Sequence, residues 1–186
     1  MVTKTDTTQI ITQPKLDENA QPSFKRWMKH AFYFSASQRL FSKQDQLAIT
    51  NAVKQAEHGH VGEIQVVIEG HIPCSQAYYQ NTRRRAEQLF GELGVWDTEY
   101  NSGILLYLNL CERQVEIVID RGICALTHET EWQAICLHIV AELKAKNYRQ
   151  AVINGVLEIG GILDRFYDKQ ITDSADELDN SPIILN

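Results

Sequence analysis

Three carboxylates set far apart in the chain, Glu63, Asp97 and Asp120, are the residues from which a chemical site could be built. Carboxylate oxygens are hard ligands that suit Ca²⁺ or Mg²⁺, and carboxyls held close together share a proton because like charges resist joint ionisation. Glu63 opens an alternating run, Asp97 lies in a polar loop, and Asp120 closes a second alternating run. Thr98 and Asn101 could orient a bound group, and Arg121 could clamp a phosphate or carboxylate through two parallel hydrogen bonds. The bland alternative is that acids at strand ends are solvated and that Arg121 pairs with one of them. His58 and His60 offer imidazoles just before Glu63, but no cysteine lies nearby and no helix presents both rings, so zinc fits poorly. No Gly-x-Ser-x-Gly elbow or Ser/His/Asp arrangement is present, and Gly155, Gly160 and Gly161 sit inside a helical pattern with no Lys-Ser or Lys-Thr after them.

The elements that must bring these residues together follow from periodicity. Residues 63–69 alternate as a strand does, with Ile64, Val66 and Ile68 on one face. Pro73 and Ser75 open a longer helix, with Tyr79, Ala86, Leu89, Phe90 and Leu93 on one side, that stops at Gly94. Residues 104–110 are apolar on both faces, as in a central strand covered from both sides. After the polar turn Cys111-Glu112-Arg113, residues 114–120 alternate again and read as an edge or half-covered strand. Strand, helix, strand makes a βαβ unit with parallel strands, and the hairpin returns antiparallel. The starts of the first two strands and the end of the third then share one edge, where Glu63, Asn101 and Asp120 converge. Further helices are expected over 24–41, loosened at Ser35-Ala36-Ser37; from Ser42, with Asp45 in its first turn, to about Gly59; from Thr130, with Gln133, through Leu143; and over 148–166. The fold class is α/β, a small mixed sheet covered by helices. Arg83-Arg84-Arg85 points three ways around its helix and reads as a solvated, salt-paired face.

At 186 residues, 44% hydrophobic and 23% charged, the chain suits one globular domain. We expect a mobile leader over 1–22, the domain over 23–167 and an acidic disordered tail over 168–186. The net charge is −6, and the tail's five acids (Asp168, Asp173, Asp176, Glu177, Asp179) less Lys169 account for −4 of it. The remainder is near neutral, with no general electrostatic reason to bind nucleic acid or an anionic membrane surface. No apolar run approaches the roughly 20 residues of a membrane span. The polar start lacks the pattern of a secretion signal, and the four cysteines form no C-x-x-C pair, so a reduced cytoplasmic protein is expected.

The run Val95-Trp96-Asp97-Thr98-Glu99-Tyr100-Asn101-Ser102-Gly103-Ile104-Leu105-Leu106-Tyr107, followed by Val115-Glu116-Ile117-Val118-Ile119-Asp120-Arg121-Gly122-Ile123, resembles the TPM domain family. His60 to Ile64, Arg85 to Phe90 and Trp132 fall where shorter bacterial members have similar residues. The resemblance spans roughly residues 26–166. It implies a three-layer α/β/α sandwich of Rossmann-like appearance, divalent-cation binding in some members and a phosphatase activity in the thylakoid branch. It maps an acidic cluster onto Glu63, Asp97 and Asp120, with Asn101 and Arg121 beside it. The function expected is that of a non-catalytic module that binds a membrane- or envelope-associated partner protein and carries a divalent-cation pocket. The alternative is a weak metal-assisted phosphatase in which Asp120 and Arg121 do the chemistry. The lack of an evident nucleophile-and-base pair favours the module.

Overall fold

The computed structural model describes residues 8–10, 22–33, 40–167 and 177–185. Most of the expected leader, residues 168–176 of the expected tail, and the expected loosening at Ser35-Ala36-Ser37 lie outside these. In chain order the elements are β1 (Thr8–Ile10), α1 (Phe24–Ala31), α2 (Lys43–Glu57), β2 (Glu63–Glu69), α3 (Cys74–Ala77), α4 (Thr82–Glu92), β3 (Gly103–Asn109), β4 (Gln114–Asp120), α5 (Arg121–Cys124), α6 (Glu129–Lys144), α7 (Tyr148–Phe166) and β5 (Ile183–Leu185). The sheet order is β1-β4-β3-β2-β5. β2 and β3 are parallel and β3 and β4 antiparallel, with Glu63 opposite Gly103 and Ile104 opposite Ile119. The expected βαβ unit and hairpin are therefore present.

The strand period of two sorts side chains into two cores. Ile64, Val66 and Ile68 of β2, Ile104, Leu106 and Leu108 of β3, and Val115, Ile117 and Ile119 of β4 pack with the stripes of α2, α6 and α7. On the other face Val67, Leu105, Tyr107 and Val118 pack with Ala86, Leu89 and Phe90 of α4. This is a three-layer α/β/α arrangement. Ser42 caps α2, as the sequence indicates, and the Asp45 carboxylate also accepts the Ser42 N–H, completing a reciprocal pair. The cap of α6 falls two residues earlier than expected, where Glu131 reaches back to the His128 backbone N–H at 3.2 Å.

Four expectations need correction. The helix expected to run on from Pro73 is two helices, because Asn81 is itself a strong N-cap and its Oδ1 accepts from Arg84 N–H at 3.0 Å. β4 is no edge: β1 pairs with it antiparallel, Thr8 opposite Asp120, and both faces from Val115 to Asp120 are buried. Within the tail, Ile183–Leu185 forms a strand parallel to β2, since three apolar residues can hydrogen-bond to a sheet edge that would otherwise be bare.

The fourth concerns the arginine run. Arg84 is exposed, but Arg85 is buried, its Nη2 and Nε donating to Glu69 Oε1 at 2.7 and 3.0 Å. Tyr107 OH donates to Glu69 Oε2 at 2.6 Å, and Asn109 Nδ2 donates to Tyr107 OH at 2.8 Å. Nearby, Thr82 Oγ1 lies 2.5 Å from Gln114 Oε1 and 2.7 Å from Glu116 Oε1. Burial pushes the Glu116 carboxyl up to about 7, more than Thr82 and the Arg83 charge pull it down.

Candidate functional site

The amino ends of β2 and β3 and the carboxyl end of β4 lie at one end of the sheet, so Glu63, Asn101 and Asp120 share that end. Two glycines let the backbone close up. A Cβ on Gly103 would lie 1.9 Å from the Val95 carbonyl oxygen, so only glycine lets the loop after α4 fold over the start of β3. A Cβ on Gly122 would lie 2.5 Å from the Asn101 carbonyl oxygen, which instead accepts the Gly122 N–H at 3.1 Å. Asn101 has φ of 53°, a left-handed conformation that asparagine tolerates better than most residues.

Inside this frame Asp120 is 2% exposed. Its Oδ1 accepts the Arg121 backbone N–H at 2.6 Å, capping α5, while its Oδ2 is buried with no hydrogen-bond partner among the described residues. Burial pushes the carboxyl above the usual range, against the pull of the Arg121 N–H and guanidinium. Burial and then the neighbouring Asp120 charge raise the phenol of Tyr167, whose ring lies 6.3 Å from that of His60. Arg121, exposed, donates from Nε to Asn101 Oδ1 at 3.0 Å. Thr98 is buried and its Oγ1 accepts the Ser102 N–H at 2.9 Å, while Ser102 Oγ donates to the Val61 carbonyl at 2.5 Å. Glu63 is buried; Asp97 is exposed on the loop, its N–H bonded to the Gly94 carbonyl at 2.9 Å. Thus Asp120, Arg121 and Asn101 form one connected unit with Thr98 bracing the loop, Glu63 stands at the same sheet end, and Asp97 faces solvent.

Sequence reasoning missed several partners at this end. Glu57, the last residue of α2, is buried and its Oε1 accepts the Ile64 N–H at 2.7 Å. The exposed Glu177 accepts the Glu99 N–H at 3.0 Å, joining the acidic tail to the loop. Tyr167 follows the last helix, where its stripe gives no hint of a polar role. Of the two histidines, His58 is exposed and His60 is buried with Nδ1 accepting the Gly62 N–H at 3.1 Å.

Among the described residues, the one set of three His, Cys, Asp or Glu side chains whose ligand atoms fall within 4.8 Å of one another is His30, Cys111 and Glu112, at the opposite end of the sheet. Its hydrogen bonding argues against a cation. His30 Nδ1 accepts the Ile72 N–H at 3.1 Å, so the ring proton of the neutral imidazole sits on Nε2, which lies 3.0 Å from Glu112 Oε1. No lone pair then remains on Nε2 for a metal. The contact with His30 and the bond from Lys29 hold Glu112 down at about 2, and burial pushes the Cys111 thiol up to about 11. This cluster is a strut that ties α1 to the β3–β4 turn.

Comparison with known proteins agrees with this architecture. No curated protein matches the sequence. Among solved structures, the chain is similar to the NMR structure of BA42 from the psychrophilic bacterium Bizionia argentinensis, with a TM-score of 0.68, 24% identity, and coverage of 77% of this chain and 94% of that one. It is also similar to the N-terminal domain of a protein from P. gingivalis, with a TM-score of 0.57, 21% identity, and coverage of 68% and 78%. At those identities both show the fold alone. The TPM domain model matches residues 35–162, more than half of the sequence and every element from α2 through most of α7, so the chain belongs to the TPM domain family.

Proposed function

We propose that this TPM domain is a non-catalytic binding module that takes up Ca²⁺ or Mg²⁺ at the Asp120 end of the sheet and recognises a partner protein there. The observation that carries the reading is Asp120 Oδ2, a buried carboxylate oxygen without a hydrogen-bond partner among the described residues, on a group whose other oxygen is committed to the Arg121 N–H. Leaving such an atom bare costs at least about 1–3 kcal/mol, and a cation or a proton relieves that cost. Glu63 stands at the same sheet end as a second buried carboxylate; the ligand atoms of Glu63, Asp97 and Asp120 do not all lie within 4.8 Å of one another, so a cation held by Asp120 would have to draw in the loop that carries Asp97, Thr98 and Asn101. An all-oxygen donor set suits hard cations. Arg121 and Asn101, already joined at the rim, present a charged and polar face to a partner. Support for a non-catalytic role comes from the hydroxyls of Thr98 and Ser102, both engaged in holding the loop.

Calorimetric titration of Ca²⁺ and Mg²⁺ into the wild type and Asp120→Asn tests this. A binding heat in the wild type that weakens at least about tenfold in the variant is expected, since the variant keeps the shape and removes the charge. Identical heats in both, or none in either, remove the cation from the reading. A phosphate-release assay with Mg²⁺, Mn²⁺ or Ca²⁺ serves as the second arm. Activity that vanishes in Asp120→Asn would replace the module with a weak metal-assisted phosphatase in which Arg121 steadies the phosphoryl group.

A further inference from the structure

Helix α1 is inside out. Two of its polar residues face the protein: His30 is 1% exposed and bonded to the Ile72 backbone, and the half-buried Arg26 donates from Nε and Nη2 to the carbonyls of Ala77 and Tyr78 at 2.7 and 3.0 Å. Its large apolar residues face solvent: Phe24 is 63% exposed, Met28 42% and Phe32 71%. Spaced at i, i+4 and i+8, these three form one stripe along the helix. Trp27 stacks on Phe24 with ring centroids 5.4 Å apart and widens the stripe, and Tyr79 stands exposed on the segment that Ser23 and Arg26 hold. A surface helix of a globular domain normally buries such a face, and among the described residues nothing covers this one.

Charge says what. Residues 24–33 contain Lys25, Arg26 and Lys29 and no acid, in a chain whose net charge is −6. Lys25 and Lys29 follow the Phe24 and Met28 positions by one residue each and so edge the stripe on one side. The exposed Arg113 adds a cation at the β3–β4 turn, and Glu112, which pairs with Lys29 at 2.7 Å, is the acid beside them. Aromatic and methionine side chains flanked by basic residues match the boundary of an anionic phospholipid bilayer, where apolar groups enter the acyl region and lysines reach the phosphates. We infer that α1 is an interfacial docking face by which the domain rests on an anionic lipid surface. The struts at His30 and Arg26 hold the helix in that attitude before contact. This face is separate from the Asp120 end of the sheet and does not depend on it.

Co-sedimentation of the full chain with vesicles of phosphatidylcholine alone, and of phosphatidylcholine with about 30% phosphatidylglycerol, tests it. The expected result is pelleting with the anionic vesicles, reduced by high salt, at least about tenfold weaker for Phe24→Ser/Phe32→Ser and weakened by Lys25→Glu. Both variants alter exposed side chains, and unchanged circular dichroism and unfolding midpoints establish that they fold. Asp120→Asn should bind vesicles as the wild type does, which separates this face from the cation reading. No pelleting with anionic vesicles, or pelleting that ignores the double substitution, overturns the inference. So does a wild-type dimer that Phe24→Ser/Phe32→Ser converts to a monomer without any vesicle binding, which would assign the face to a second copy of the chain.

Discussion

Replacing Glu116 with glutamine should make the protein more stable at pH 8 while changing little at pH 5. Glu116 is 1% exposed beneath α4, with Thr82 Oγ1 at 2.7 Å, and burial raises its carboxyl from an ordinary 4.5 to about 7. Between those two values the folded protein holds a proton that the unfolded chain has released, so stability falls as pH rises. The contribution of the neutral carboxyl is fully present below about 4.5 and is lost as pH passes through about 7. A displacement of 2.5 units at 1.36 kcal/mol each makes this about 3 kcal/mol, of which most falls between pH 5 and 8. Glutamine keeps the size and hydrogen-bonding capacity of the neutral acid and cannot ionise. Urea unfolding of the wild type and Glu116→Gln at both pH values reads the effect as a difference of differences, in which every other titrating group cancels. A variant-minus-wild-type stability that rises by roughly 2–3 kcal/mol from pH 5 to pH 8 is expected. A difference that stays constant with pH, or falls, refutes the protonated assignment of Glu116.

Arg85→Ala should cost roughly 3–5 kcal/mol in chemical unfolding, because it strands the buried carboxylate of Glu69. Arg84→Ala one residue earlier, on the solvent side, should change the midpoint little and serves as the control. Gly103→Ala should destabilise by about 3 kcal/mol or more, since the clash is with the Val95 carbonyl rather than with a flexible side chain; a shift under about 0.5 kcal/mol would mean that the loop is not closed over β3 as described.

The parts of the fold legible in the sequence are those decided by local pattern. The Ser42 cap of α2, the strand over 63–69, the hairpin strands and the last helix, Tyr148–Phe166, follow from period and capping chemistry that act within a few residues. What escaped depends on distant partners. Ile183-Ile184-Leu185 is too short to display a period, and only the open edge of β2 makes it a strand. Arg85 looks like its neighbours until Glu69, 16 residues back, is placed beside it. The placement of Glu63, Asn101 and Asp120 at one end of the sheet could be reasoned from topology. The exposure of Asp97 and the bare Oδ2 of Asp120 could not, because both depend on how the loop folds over Gly103 and Gly122.

The pairing of β5 with β2 has a consequence for biosynthesis. Val67 and Ile183 lie 116 residues apart, so after β2 leaves the ribosome its outer edge must wait for nearly two thirds of the chain to be made. At roughly 5–20 residues per second that interval is on the order of ten seconds, during which the edge residues of β2 carry unpaired backbone groups. The last of the covering helices, α7, ends at Phe166, only 17 residues before Ile183, so the packed state with one open sheet edge is short-lived, about 1–3 s at that rate. Protection of that edge, by a chaperone or by the speed of synthesis itself, would govern the yield of the folded protein more than the strength of its core.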